Sequence, residues 1–190
     1  MAPKLVSALA LAGACLLSNL AVAAPAEVLL IRHAEKPDSG PDLNARGYQR
    51  AQALVQFFET SPEVTRFGTP VAIYGAAPKK KGGSVRSIET VAPTAKALGL
   101  EVDTDYTKKD VEDAADEVMK TKAYDGKTVL MAWEHKKIPD LAAAFGVDDA
   151  PDTWASDVFD RVWVIDFDDD GNVTSFQNLP QHVLPGDSEN

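Results

Sequence analysis

Three short apolar runs, "EVLLI" at 27–31, "PVAIYGA" at 70–76 and "KTVLMAW" at 127–133, each give way to a segment with helical periodicity. A strand that is apolar on both faces has to be covered on both faces, which is the situation of a central parallel strand. The first run is followed by "LNARGYQRAQALVQFFET" (43–60), where Ala51, Leu54, Val55 and Phe58 recur at spacings of three and four and make one apolar face. The second leads to "SVRSIETVAPTAKALGL" (84–100), with Ser84 as N-cap, Gly99 near the stop, and Pro93 implying a kink or a late start. "EVDT" (101–104) fits a short strand and "KDVEDAADEVMKTK" (109–122) an acidic amphipathic helix. The third run is followed by a helix over "IPDLAAAFG" (138–146). "RVWVIDF" and "NVTSFQNL" then form two strands joined at "DDDG", and the final "PGDSEN" is expected to fray. Such alternation predicts a three-layer α/β/α sandwich. It has a mostly parallel central sheet, helices on both faces and a C-terminal β-hairpin. Residues 24–190 contain no repeat and no linker long enough to divide them, so they are expected to form a single domain.

Residues 1–23 read differently. Lys4 precedes an apolar stretch from Leu5 to about Leu17, and Ala21-Val22-Ala23 is a small-x-small cleavage site. This is the pattern of a secretory signal peptide, so the mature chain is expected to be periplasmic or secreted, without a membrane span. The sole cysteine, Cys15, lies in that leader, which leaves the mature domain no disulfide, thiol nucleophile or cysteine metal site. The net charge of −10 argues against general nucleic-acid binding and makes local basic clusters informative. Lys79, Lys80 and Lys81, ahead of Gly82 and Gly83, are such a cluster: a solvated loop or a patch that steers an anionic substrate. In "DFDDDGNV" (166–173), Asp166, Asp168, Asp170 and Gly171 fit half of a calcium loop. Gln177 stands where the closing glutamate is needed, so a hairpin turn is the better reading and no metal site is expected.

The carboxyl ends of parallel strands share one edge, where ligands bind. The first run ends in Arg32-His33, the second precedes Arg86, and the third ends in Trp133-Glu134-His135. Two arginines and two histidines are therefore expected at one pocket.

"LLIRHAEKP", "DLNARGYQRAQAL", "SVRSIETVAPTAKALGL" and "VLMAWEHKKIPDLAAAFG", in this order, resemble the histidine phosphatase (phosphoglycerate mutase-like) superfamily, and within it small exported members. The resemblance implies that His33 is a nucleophile passing through a phosphohistidine, and that Arg32, Arg86 and His135 bind the phosphoryl group without a metal or other cofactor. The residue types suit this, because arginine offers a planar fork to phosphate and a neutral imidazole can attack phosphorus. His33 then needs an acceptor, such as a backbone carbonyl, for its other ring nitrogen, while His135 is expected to act as a cation. Lys136 occupies the place where one branch of the superfamily carries its aspartate proton donor. By comparison with the other branch Asp110 is the first candidate acid, followed by Glu112 and Asp113, with Glu134 and Glu35 as local alternatives. The implied substrate is a phosphorylated small molecule, saccharide, lipid head group or phosphoprotein. The competing expectation is a phosphate- or phosphosugar-binding module that keeps the anion pocket without turnover.

Overall fold

Hydrogen bonding tethers the chain from Ala24 onward: the Ala24 carbonyl accepts from Gly126 N and the Lys127 carbonyl from Ala26 N, both at 2.9 Å. The structure, a computed structural model, describes residues 24–189. The expected leader, 1–23, lies outside the described residues. In chain order the elements are β1 (Glu27–Arg32), α1 (Ala45–Thr60), β2 (Ala72–Gly75), α2 (Arg86–Leu98), β3 (Val102–Asp103), α3 (Val111–Lys120), β4 (Thr128–Trp133), α4 (Ile138–Ala144), β5 (Arg161–Phe167) and β6 (Val173–Pro180).

The described strands form one sheet in the order β3-β2-β4-β1-β5-β6. The first four are parallel, and β5 and β6 extend the β1 side in antiparallel sense. Every residue of β1 and β4 is buried. Alternate side chains serve opposite layers. Val28 and Leu30 pack with Val129, Met131 and Trp133 against Val118 of α3 and Leu141 of α4. Leu29 and Ile31 pack with Leu130 and Ala132 against Leu54 and Phe58 of α1 and Val91 of α2. This is the expected three-layer arrangement. Among the described residues no helix is long and apolar enough to cross a membrane.

Three local expectations are corrected. Helix α2 starts at Arg86, behind Val85, with no side-chain cap from Ser84, and it begins well before Pro93 and runs past it. Helix α3 starts at Val111, because Asp110 turns its carboxylate back onto Thr107. The tail is not frayed at Asp187 and Ser188. Asp187 accepts from Arg50 Nη1 and Nη2 at 3.0 and 2.8 Å, and Asp160 accepts from Ser188 N and Oγ. The "DDDG" segment is a turn, in which Asp168 accepts from the backbone N–H of Asp170 and Asn172.

Arg50 joins three parts of the chain. It is 2% exposed and lies between Glu35, after β1, and Asp187 in the tail, with Gln181 as a further acceptor. Gly47, one turn earlier, lets α1 approach the same loop: a Cβ there would stand 2.2 Å from the Glu35 carbonyl oxygen. Removing one partner of a buried charge network strands the others. Arg50→Ala is therefore expected to lower the unfolding free energy by about 3–5 kcal/mol, read by denaturant titration, and to loosen the tail.

Candidate active site

β1 and β4 are neighbours in register, with Arg32 opposite Trp133. The pairing continues one residue further, His33 N–H donating to the Trp133 carbonyl at 3.0 Å. The loops after the two strands therefore leave the sheet side by side, one carrying His33 and the other Glu134 and His135. Helix α2 holds the first loop from the side. Ala34 N–H donates to Thr90 Oγ1 at 2.8 Å, and that hydroxyl donates to the Arg86 carbonyl at 2.7 Å.

His33 is 5% exposed, and its Nδ1 lies 2.8 Å from the Ala34 carbonyl oxygen. A carbonyl only accepts, so Nδ1 carries the proton and Nε2 carries the lone pair. Burial pushes the imidazole pKa down, the Ala34 carbonyl opposes this, and Arg32, Arg86 and His135 lower it further, to about 4. His33 is thus neutral, and free at Nε2, across the ordinary pH range.

His33 stands in the wall of a cleft of about 550 Å³ with Arg86 and His135. Arg86 is fixed by its own backbone surroundings: Nε donates to the Asp42 carbonyl at 3.0 Å and Nη2 to the Gly40 carbonyl. His135 is 9% exposed, and its Nδ1 is buried without a partner among the described residues. Burial and then Arg32 hold its pKa below the ordinary histidine range, with Glu134 opposing, so His135 alone is neutral and not the expected cation. A dianion between the two histidines would reverse this shift, since a nearby opposite charge favours the protonated form.

Arg32 sits elsewhere. It shares its parity with Val28 and Leu30, and its Nη1 donates to the carbonyls of Ser156 (2.8 Å) and Val158 (2.9 Å), with Ala155 at 3.4 Å. Its guanidinium lies 3.7 Å from the centroid of the Phe159 ring. Arg32 is 1% exposed and is not among the residues lining the cleft, in contrast to the expected phosphate contact. Arg32 stays beside His33 all the same, since the Phe159 ring that it covers stands 6.3 Å from the His33 ring.

The acids sort by position. Asp110 does not line the cleft; hydrogen bonds from Thr107 Oγ1 and N tie its carboxylate down and hold its pKa below the usual range. Glu112 and Asp113 are exposed in the first turn of α3, also off the cleft. Glu35 is held by Arg46 and Arg50. Glu134 is the carboxylate in the cleft wall, and Lys108 Nζ lies 2.8 Å from it. Burial raises its pKa, but the Lys108 hydrogen bond and charge outweigh this and lower it overall. Glu89 is structural, accepting from Leu43 N and Tyr48 Oη. His182 is exposed and lies off this cleft.

Sequence reasoning missed Lys36, Ser87 and Lys108, which also line the cleft with Lys79 and Lys80. Ser87 had a signal. It lies in the first turn of α2, which has no side-chain cap, and such uncapped N–H groups favour anions. Lys108 had none, because its place depends on a bridge between Ala77 and Thr107. Among the described residues no group of three or more His, Cys, Asp or Glu could hold a metal.

No family model matches the sequence, and no curated protein sequence matches it closely. Solved structures do. A phosphoglycerate mutase from Plasmodium falciparum superposes with a TM-score of 0.54 at 16% identity, over 85% of this chain and 95% of that one. The fold is that of the histidine phosphatase (phosphoglycerate mutase-like) superfamily. The likeness extends to SixA from Agrobacterium tumefaciens, described as a phosphohistidine phosphatase (TM-score 0.53, 17% identity, 80% of this chain and 98% of that one). A protein histidine phosphatase SixA complexed with tungstate gives 0.51 at 12% identity, over 82% and 97%.

Nitrogen-detected NMR of the histidine ring tests the geometry of this cleft. His33 is expected to keep Nδ1 protonated and Nε2 bare down to pH ~5, as its depressed pKa requires. Titration near 6.5, the ordinary histidine value, would contradict the burial account. The unfolded chain takes up this proton first as pH falls, so stability should decline from about pH 6.5 toward pH ~4 and not in the opposite direction.

Proposed function

We propose that the chain is a phosphatase that hydrolyses phosphomonoesters through a phosphohistidine on His33, and that it acts as an exported protein after loss of residues 1–23. The observation that carries this reading is the His33 ring, held at Nδ1 by Ala34 and opening at Nε2 in a basic cleft beside His135 and Arg86. A fold shared with proteins named as phosphatases supports it, as does a solved neighbour complexed with tungstate, a tetrahedral oxyanion.

In the first step Nε2 attacks phosphorus. A P–N bond forms, the P–O ester bond breaks, and the leaving oxygen takes a proton from Glu134. In the second, Glu134 takes a proton from water, the oxygen attacks phosphorus, and the P–N electron pair returns to Nε2 as phosphate departs. Arg86 and His135 donate to the equatorial oxygens, where charge is spread during transfer. Arg32 acts as a fixed neighbouring charge that favours neutral imidazoles at both histidines.

p-Nitrophenyl phosphate and an alkyl phosphate together test the assignment. His33→Ala is expected to abolish turnover of both. Glu134→Gln is expected to cost about 10²–10⁴-fold with the alkyl ester, whose leaving group needs a proton, and far less with the nitrophenyl ester. Phosphate or vanadate binding without any turnover would favour the non-catalytic binding module instead. Asp110→Asn, which leaves the cleft wall intact, should change neither rate by more than a few-fold; a loss comparable to that of Glu134→Gln would return the acid to Asp110.

A further inference from the structure

The charge around the cleft exceeds what one phosphoryl group requires. Lys36, Lys79, Lys80, Arg86 and Lys108 line it, and Glu134 is the one carboxylate among the lining residues. A bound phosphoryl group brings a charge of about −1.5 to −2 at neutral pH, which leaves roughly two positive charges unmatched. This surplus sits in a chain whose net charge is −10. Arg86 is anchored on the Asp42 and Gly40 carbonyls, so the adjustable cations are the lysines.

Lys108 differs from the other three in what it touches. Its backbone is fixed at the rim: the Lys108 carbonyl accepts from Trp133 Nε1 at 3.1 Å, and the preceding Thr107 bridges to Ala77. Its Nζ, on a half-exposed side chain, reaches back to Glu134 Oε2 at 2.8 Å. A lysine ammonium on a flexible stem can change partners, and a rim ion pair of this exposure is held only weakly. The carboxylate it holds is next to His135, on the wall shared with His33.

We propose that Lys108 selects phosphomonoesters whose leaving group carries a second anionic group, and that this anion, by drawing Lys108 away from Glu134, readies Glu134 to donate its proton. The proposal rests on the phosphatase reading. The second anion replaces Glu134 as the partner of Lys108. Glu134 then faces the phosphoryl dianion without its cation, and both changes favour its protonated form. Lys36, Lys79 and Lys80 hold the remainder of the anionic leaving group. The selected class is a phosphate ester of an acid: a molecule with a carboxylate or a second phosphate near the ester oxygen. Discrimination is expected in kcat as well as KM, because the same contact releases the acid.

The test compares 3-(phosphonooxy)propanoate with its neutral isostere 3-(phosphonooxy)propanamide, two alkyl esters whose leaving oxygen needs a proton. The wild-type protein is expected to favour the carboxylate by about tenfold or more in kcat/KM, the scale of one charge-assisted hydrogen bond, with part of the gain in kcat. Lys108→Met should erase the preference and Lys108→Arg should keep most of it. Lys109→Met, an exposed neighbour off the cleft, should leave it unchanged. A wild-type protein that turns over p-nitrophenyl phosphate through His33 but shows no preference would overturn this inference and leave the phosphatase reading standing. A preference that survives Lys108→Met, or one confined to KM, would also overturn it. No turnover of any ester, with phosphate still bound, would remove both readings.

Discussion

The parallel pairing of β1 with β4 is the constraint on which the site depends. Their register, carried one step further by the bond from His33 N–H to the Trp133 carbonyl, sets two loops beside each other at the ligand edge of the sheet. Both strands are buried along their whole length, so a slip of one residue would take Arg32 and Glu27 at the ends of β1 off the partners that satisfy them. The partners of the strand ends therefore help to set the spacing of the two histidine loops. Arg50 adds a second restraint by pinning the loop after His33 to α1 and to the tail.

The electrostatics follow from that placement. Burial keeps His33 neutral, with the Arg32 charge reinforcing this, and the Ala34 carbonyl selects which nitrogen is free. A nucleophile needs this state, and an anion supplies the opposite one for His135. The cleft thus treats two histidines at equivalent strand ends differently. One is locked as a base by a carbonyl; the other has no such partner at Nδ1 among the described residues.

Much of this was legible in the sequence. The strand runs and helical periods give the layers, and strand ends that share an edge bring His33, Arg86 and His135 to one cleft. The place of Arg32 was not legible, because the carbonyls that hold it, those of Ser156 and Val158, lie far away in sequence. The acid was not legible. Asp110 and Glu134 are both carboxylates near strand or helix ends, and only the fold shows that Thr107 binds one while the other lines the cleft. Lys108 was out of reach for the same reason: a single long-range bridge puts it there. The order of the tail was missed because "PGDSEN" is polar, and its partner, Arg50, is far away in sequence.

The central claim is that His33 Nε2 carries the phosphoryl group. Rapid alkaline quench during turnover, followed by peptide mapping and phosphorus NMR, measures this directly. The account predicts an acid-labile, alkali-stable phosphoryl group on His33, bonded at Nε2. A phosphoryl group on His135, or hydrolysis with no covalent protein intermediate under conditions that trap phosphohistidine in a control protein, would contradict it.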